Sequence, residues 1–389
     1  MISYFFDITS KITKIPSVIL LLAIGWLLNQ IIGLSGFAIP DLNVILPILG
    51  TVGLILIVLE GSLELELNRS KKKLIGKTLL ISTASVLIMT AAFAIWLNYE
   101  WGIDYREGII NAIPFCIISS SIAIPSAINL SSAKREFVIY ESSLSDIVGV
   151  VFFNFATFGT AITLTGGFYF IGQFLLMIII SIIASLILAI LLGKIDHHIK
   201  YGPIIISIIL IYEISKIYHL PALIFILFFG LVLGNIDELR GVRFLKNVRF
   251  TRLNREVMLF KDVVIEATFV VRSLFFLVLG FVLETEDIIN VESLRWSLSI
   301  VVLIFVVRFI LLKIAKLDVQ PLVFIAPRGL ITILLFLAIV PADKVPFLNQ
   351  SILIQIILMT TIIMMIGVIL SDKKDEKAKA IESVEDVTV

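Results

Sequence analysis

Asp146 is the residue whose position most needs an explanation. It lies about nine residues, roughly 13 Å, into the apolar run 138–164. A carboxylate at that depth must bind a cation, pair with an arginine or stay protonated. A buried ion pair that only locks two helices together is the plainer alternative. Five residues earlier stands Glu141. Arg308, about twelve residues into the run 296–312, needs an acidic partner, and Glu141 is a fitting one.

Three hydroxyls, Ser119, Ser120 and Ser121, stand just before Pro125 in the middle of the run 107–130. The proline removes one helix hydrogen bond and collides with the carbonyl four residues back, which frees carbonyls near residue 121. Hydroxyls beside free carbonyls are oxygen ligands that can replace the hydration shell of an alkali cation. A kinked helix whose serines bond back to their own backbone is the alternative. Pro327-Arg328-Gly329 interrupts the run 319–341 in the same way. Glu60, in Leu59-Glu60-Gly61, and Arg272, about ten residues into the run 263–284, complete the charged groups at depth. Glu213 is close enough to the end of its run to reach water. Cys116 is expected to be a small packed residue. A single cysteine excludes an intrachain disulfide, and His197, His198 and His219 give no zinc spacing. These histidines stand in loops or at run ends, so no nucleophile–base constellation forms and an enzyme is not expected. No cofactor is expected either.

The elements that carry these residues are membrane spans. Of 389 residues, 59% are hydrophobic and 16% charged, with mean hydropathy +1.10. A soluble domain carries roughly 25% charged residues, so this chain lacks the polar surface of a soluble globule. Its net charge of +1 gives no broad basic face for nucleic acid. About twelve apolar blocks run near 15–33, 45–66, 75–98, 107–130, 138–164, 168–193, 201–215, 220–236, 263–284, 296–312, 319–341 and 350–371. Most match a hydrocarbon core of about 30 Å. Each is expected to be helical, because lipid offers the backbone no hydrogen-bond partner and no block alternates like a barrel strand. The first block has no small-residue cleavage site and reads as a retained span.

Charge orients the bundle. Of the 31 Lys and Arg, 24 fall on alternate loops beginning with the N-terminal segment, against 4 on the other loops and 3 inside spans. Both termini are therefore expected on the cytoplasmic side. Arg240, Arg243, Lys246, Arg249, Arg252 and Arg255 recur every third residue, a step that drifts about 60° each time around a helix. The stretch is expected to be a cytoplasmic linker near lipid headgroups. Residues 372–389 read as a short disordered tail.

Runs four and eleven enter from opposite sides, and each breaks near mid-depth. Paired interrupted helices of opposite sense point to an inverted-repeat transporter with its site at the midplane. Spans three to five and ten to twelve would be the repeats, with Asp146 where the broken helices cross. The expected fold is an all-α polytopic membrane protein, with a membrane domain over 1–371. A channel or cation symporter is the competing transport reading, but one acidic residue beside one broken span is poor material for a filter.

Glu141-Ser142-Ser143-Leu144-Ser145-Asp146 resembles the Glu-Ser-x-x-Asn-Asp signature of monovalent cation/proton antiporters, and Leu59-Glu60-Gly61-Ser62-Leu63 is similar to their Phe-Glu-Gly-Gly-Leu stretch. Ser119-Ser120-Ser121-Ile122-Ala123-Ile124 resembles the Ser-Ser-Thr-Ala-Ile of the glutathione-gated potassium/proton branch. Arg308 matches the basic residue of the tenth core helix, and Pro327-Arg328-Gly329 resembles the Leu-Arg-Gly segment. The resemblance covers nearly the whole chain in order. It departs where the sodium/proton branch has Thr-Asp-Pro in the fourth span, and where Ser145 stands in place of Asn or Asp. It implies proton exchange for a monovalent cation, Na+ first and K+ as the alternative, in the cell membrane and as a homodimer. It also implies a moving core, about 75–164 and 296–371, against a dimerisation scaffold, about 15–66 and 168–284. The implied cation site is Asp146 with Ser120, Ser121, Ser142 and Ser145, supported by ion pairs among Glu141, Arg308, Glu60 and Arg328. One titrating carboxylate implies electroneutral exchange, since electrogenic relatives carry a second carboxylate at the position of Ser145 and a lysine at that of Arg308.

Overall fold

A computed structural model describes residues 6, 16–35, 45–65, 71–128, 130–157, 172, 175–187, 201–217, 222–239 and 250–385. The described residues form helices joined by turns and unwound stretches, with no strand among them. The helices are α1 (Ser17–Ser35), α2 (Ile45–Glu64), α3 (Lys72–Trp101), α4 (Tyr105–Cys116), α5 (Ser120–Ser126) and α6 (Ser132–Thr157). Then come α7 (Leu175–Ile187), α8 (Tyr201–Ile217), α9 (Ala222–Gly234), α10 (Phe250–Val282), α11 (Thr285–Ile289), α12 (Val291–Ile314), α13 (Leu330–Ala338) and α14 (Gln350–Glu385).

Among the described residues, seven segments are long and apolar enough to cross a membrane: Ser17–Leu34, Ile45–Glu64, Lys72–Trp101, Tyr105–Ser126, Leu253–Val282, Val291–Ile314 and Gln350–Ser371. α7 and α9 are shorter apolar helices. The protein is an integral membrane protein, and its helices bury their backbone polar groups internally as lipid demands.

The helices pack in two groups. α1 and α2 lie against α10, and α2 also packs on α9, which contacts α8. α3, α4 and α5 pack on α6, while α12 packs on α3 and α14. α2 touches both α6 and α13, and α9 touches α6, so the groups meet along these helices. The α1–α10 crossing depends on glycine: a Cβ on Gly25 would stand 2.2 Å from the Leu277 carbonyl oxygen, and one on Gly280 would stand 2.3 Å from that of Leu22. Small residues let membrane helices approach this closely.

Three stretches depart from the sequence expectation. α10 begins at Phe250, so the second half of the basic stretch, with Arg252 and Arg255, is helix and not linker; residues 240–249 lie outside the described residues. The arginine spacing hid an apolar stripe, Leu253, Val257, Phe260 and Val264, whose steps of three and four put one face in the core. At the other end, α14 continues to Glu385, where a disordered tail was expected. Its Lys, Glu and Ala residues are good helix formers and extend an existing helix without a new nucleation step. Finally, span eleven is helical only after its break. Residues 320–324 form turns, since Pro321 and Pro327 each lack an amide and disfavour helix just before them.

Candidate ion-binding site

The two interrupted spans meet at their unwound segments, residues 117–119 between α4 and α5 and residues 325–329 before α13. The backbone N–H of Ser119 donates to the Pro327 carbonyl at 2.9 Å, joining one break to the other. Gly329 fits against Ser119 because it has no side chain: a Cβ there would stand 2.5 Å from the Ser119 Oγ. Each break leaves backbone groups that need partners, and neighbouring helices supply them. The Ile118 N–H donates to Ser145 Oγ of α6 at 3.0 Å, and the Arg328 N–H to Thr360 Oγ1 of α14 at 3.1 Å.

Asp146 is 8% exposed and lies against the hydroxyl and backbone N–H of Ser120, the first residue of α5. Its Oδ1 is buried without a hydrogen-bond partner among the described residues. A native structure rarely leaves a buried carboxylate oxygen unmatched, which makes this atom the candidate position for a ligand. Ser120, Ser121, Ile124 and Pro125 line one wall of a cavity of about 150 Å³, and Glu60, Glu64 and Arg272 of α2 and α10 stand on the other. Ser120 thus faces Asp146 and also borders this cavity. No three His, Cys, Asp or Glu converge among the described residues; one carboxylate with hydroxyls and carbonyls is an oxygen set for an alkali cation, not the nitrogen and sulfur set of zinc.

The other serines divide by role. Ser121 Oγ lies 3.0 Å from Ser119 Oγ and reaches the cavity. Ser145 accepts from the unwound strand, which positions the break one residue away from the carboxylate. Ser142 donates to the Val138 carbonyl of its own helix at 2.8 Å, so its hydroxyl is turned back on α6.

Glu141 and Arg308 meet. Arg308 Nη1 and Nη2 donate to Glu141 Oε1 and Oε2, each at 2.9 Å, and Nε donates to the Leu322 carbonyl at 2.7 Å. Glu141 is 2% exposed and Arg308 3%. This bidentate pair ties α6 to α12 and to the turns that precede the second break. Arg328 was expected among the ion pairs, but its guanidinium hydrogen-bonds to backbone carbonyls. Nε donates to the Phe115 carbonyl at 2.6 Å and Nη1 to the Ala326 carbonyl at 3.1 Å. It therefore places a positive charge at the C-terminal end of the half-helix α4, where orphan carbonyls gather. Glu60 lines the cavity with Arg272. Cys116 is buried, with Sγ 3.3 Å from the Ala112 carbonyl.

Several groups that complete the site were not singled out from the sequence. Glu64 stands one helical turn after Glu60, and that spacing of four was a usable signal that both share a face. Thr360 and the pair Arg106–Asp343 had none. Arg106 Nη1 lies 2.6 Å from Asp343 Oδ1, and Asn111 Nδ2 donates to the Asp343 carbonyl at 2.7 Å. Together they tie α4 to the loop after α13, bracing both broken spans at one end.

Comparison with known proteins agrees with this geometry. The fold is similar to the sodium proton antiporter MjNhaP1 from Methanocaldococcus jannaschii at pH 8, with TM-score 0.69 and 19% identity over 95% of both chains. It is also similar to the electron-microscopy map structure of the same antiporter, with TM-score 0.61 and 21% identity over 95% of this chain and 91% of that one. No curated protein matches the sequence. Residues 1–371 match the family described as sodium/hydrogen exchanger, transmembrane. A broken-helix crossing beside a buried carboxylate, in a chain matched over nearly its whole length, places this protein in the sodium/hydrogen exchanger family: it is a monovalent cation/proton antiporter, a transporter and not an enzyme.

Proposed function

We propose that the protein exchanges one Na+ for one H+ without net charge movement, using Asp146 as the single alternating carrier and no cofactor. The observation that carries this reading is the unmatched Oδ1 of Asp146 beside Ser120. The carboxylate takes a proton or a cation, and Ser120, Ser121 and the free carbonyls of the break complete the cation's shell. Ser145 and Arg308 support the one-to-one ratio. A hydroxyl precedes Asp146 where a second carboxylate would add a charge, and a guanidinium stays protonated in proteins. Arg308 is moreover held in a bidentate pair.

The packing of α3–α6 and α12–α14 as one group and of α1, α2 and α8–α10 as another supports a core that moves against a scaffold, which we assign to dimerisation. The charge distribution supports a cell-membrane protein with both termini cytoplasmic, so that the cavity lined by Glu60 and Glu64 opens inward. K+ is the second reading for the cargo, favoured by a serine-only motif at residues 119–121. Liposomes carrying the protein and a pH-sensitive dye decide it. Addition of Na+ should dequench the dye at lower concentration than K+ or Li+, and the response should be unchanged by valinomycin in symmetric K+. A K+ response at lower concentration would reassign the cargo, and a sustained current on a solid-supported membrane would overturn the one-to-one exchange.

A further inference from the structure

A second cavity, of about 480 Å³, lies far from the ion site, between α3 and α12 at the end of the bundle away from the Lys/Arg-rich loops. Its lining is ordered along both helices. On α3 the residues are Ala92, Trp96 and Glu100, spaced four apart and so on one face. On α12 they are Arg295, Ser299 and Leu303, also four apart, with Trp296 beside them. The helices are antiparallel, yet their polarity runs in step: Glu100 and Arg295 at one end, the two tryptophans next, Ala92 and Leu303 at the other. Eight residues of helix separate the charged end from the apolar end, about 12 Å.

This sequence of charge, aromatic ring and apolar wall matches the depth profile of a lipid at a membrane boundary. Trp96 and Trp296 stand 5.6 Å apart, and Trp101 stacks on Phe347 at 4.2 Å, so three of the four tryptophans gather here. The Arg295 guanidinium lies over the Trp296 ring at 5.5 Å. Around the opening Ile95, Leu298 and Val302 are each more than half exposed, which makes the surrounding surface one for acyl chains. Arg295 and Glu100 share the cavity without forming a salt bridge to each other.

We infer that this groove binds one zwitterionic glycerophospholipid, with its phosphate on Arg295, its ammonium on Glu100 and an acyl chain descending past Trp96 and Trp296 to Ala92 and Leu303. The two opposite charges decide the headgroup. An anionic phosphoglycerol lipid satisfies Arg295 but leaves Glu100 facing a negative group, whereas phosphoethanolamine satisfies both. None of these residues belongs to the ion site, so the inference stands apart from the transport mechanism.

The test is native mass spectrometry of the detergent-solubilised full chain, titrated with palmitoyl-oleoyl phosphatidylethanolamine or phosphatidylglycerol. The wild type should retain phosphatidylethanolamine about fivefold more strongly, the size expected of one interfacial ion pair. Glu100→Gln should erase that preference while keeping phosphate binding, and Arg295→Gln should lose retention of both lipids. Leu303→Trp, which leaves both charges in place but fills the acyl path, should also lose retention, separating a whole lipid from a free phosphate headgroup. All three variants should keep wild-type exchange in liposomes, which confirms that they fold. Equal retention of both lipids by wild type and variants would overturn the inference. So would a shift in monomer–dimer ratio with unchanged lipid retention, which would give the groove to a second copy of the chain.

Discussion

Glu141 and Asp146 stand five residues apart on α6, both nearly inaccessible, yet their surroundings are opposite. Both oxygens of Glu141 accept from Arg308 in a bidentate pair. Among the described residues Asp146 makes no salt bridge, and one of its oxygens is unmatched. The first carboxylate already has a cation on both oxygens and links α6 to α12. The second lies against the hydroxyl and backbone N–H of Ser120, while the Ile118, Ser119 and Arg328 amides of the unwound segments are taken by Ser145, Pro327 and Thr360. Under the proposed function, depth in the membrane is thus not what separates a transport residue from a structural one. Whether its hydrogen-bonding capacity is used up is.

The sharpest break of this contrast is Asp146→Asn. Cation-driven proton flux in liposomes should fall to the background of empty vesicles, while the protein still inserts and its thermal unfolding in detergent stays at the wild-type temperature or above. Exchange at the wild-type rate would remove Asp146 from the site. The opposite outcome is expected at the Glu141–Arg308 pair. Arg308→Ala or Glu141→Gln leaves a buried charge or acceptor unmatched and should cost about 3–5 kcal/mol of stability, read as a lower unfolding temperature in detergent. In a double-mutant cycle the pair should couple strongly, since touching residues are not additive. Additive losses would mean that the contact carries no energy.

A smaller effect is expected at the crossing itself. Gly329→Ala puts a methyl group 2.5 Å from Ser119 Oγ and 2.8 Å from Ile122 Cδ1, an overpacking of about 1–3 kcal/mol. It should lower both unfolding temperature and exchange rate, whereas alanine at Gly61, with nothing within 4 Å, should change neither. The least disruptive pair of variants separates the serines. Ser120→Ala should raise the apparent KM for the cation about fivefold, the equivalent of one lost ligand at about 1 kcal/mol, with little change in maximal rate. Ser142→Ala should leave KM where it was, because that hydroxyl already bonds to Val138. Equal shifts in the two would show that Ser142 rotates toward the ion.

Much of this was legible in the amino-acid sequence, and for definite reasons. Apolar blocks of near-bilayer length can only be helices in lipid, so the all-helical membrane fold followed from composition and block length. Pro327 lies inside the break of its span, but Pro125 marked the fourth span for interruption without placing it: the residues around Pro125, expected to free carbonyls near residue 121, are helical in α5, and the chain is unwound at 117–119 instead. Ionisable residues at depth are costly enough that Asp146, Glu141 and Arg308 identified themselves. The start of α10 was less legible, since its arginines, at a step of three, drew attention from the apolar stripe that folds it.

What the tertiary structure alone decided is how each demand is met. A sequence states that a buried charge or a broken backbone needs a partner, but the decisive partners here come from distant elements. Arg308 reaches Glu141 across 167 positions and Arg328 reaches Phe115 across 213. Nothing local distinguished Arg308, which found a carboxylate, from Arg328, which donates to the Phe115 carbonyl at the end of α4 and to the Ala326 carbonyl in its own break. Nor could spacing tell that Ser142 turns back on its own helix while Ser120 faces Asp146. These outcomes depend on which helix faces pack together. Helix packing fixes distances to a fraction of an ångström, and a hydrogen bond is made or lost over that same range.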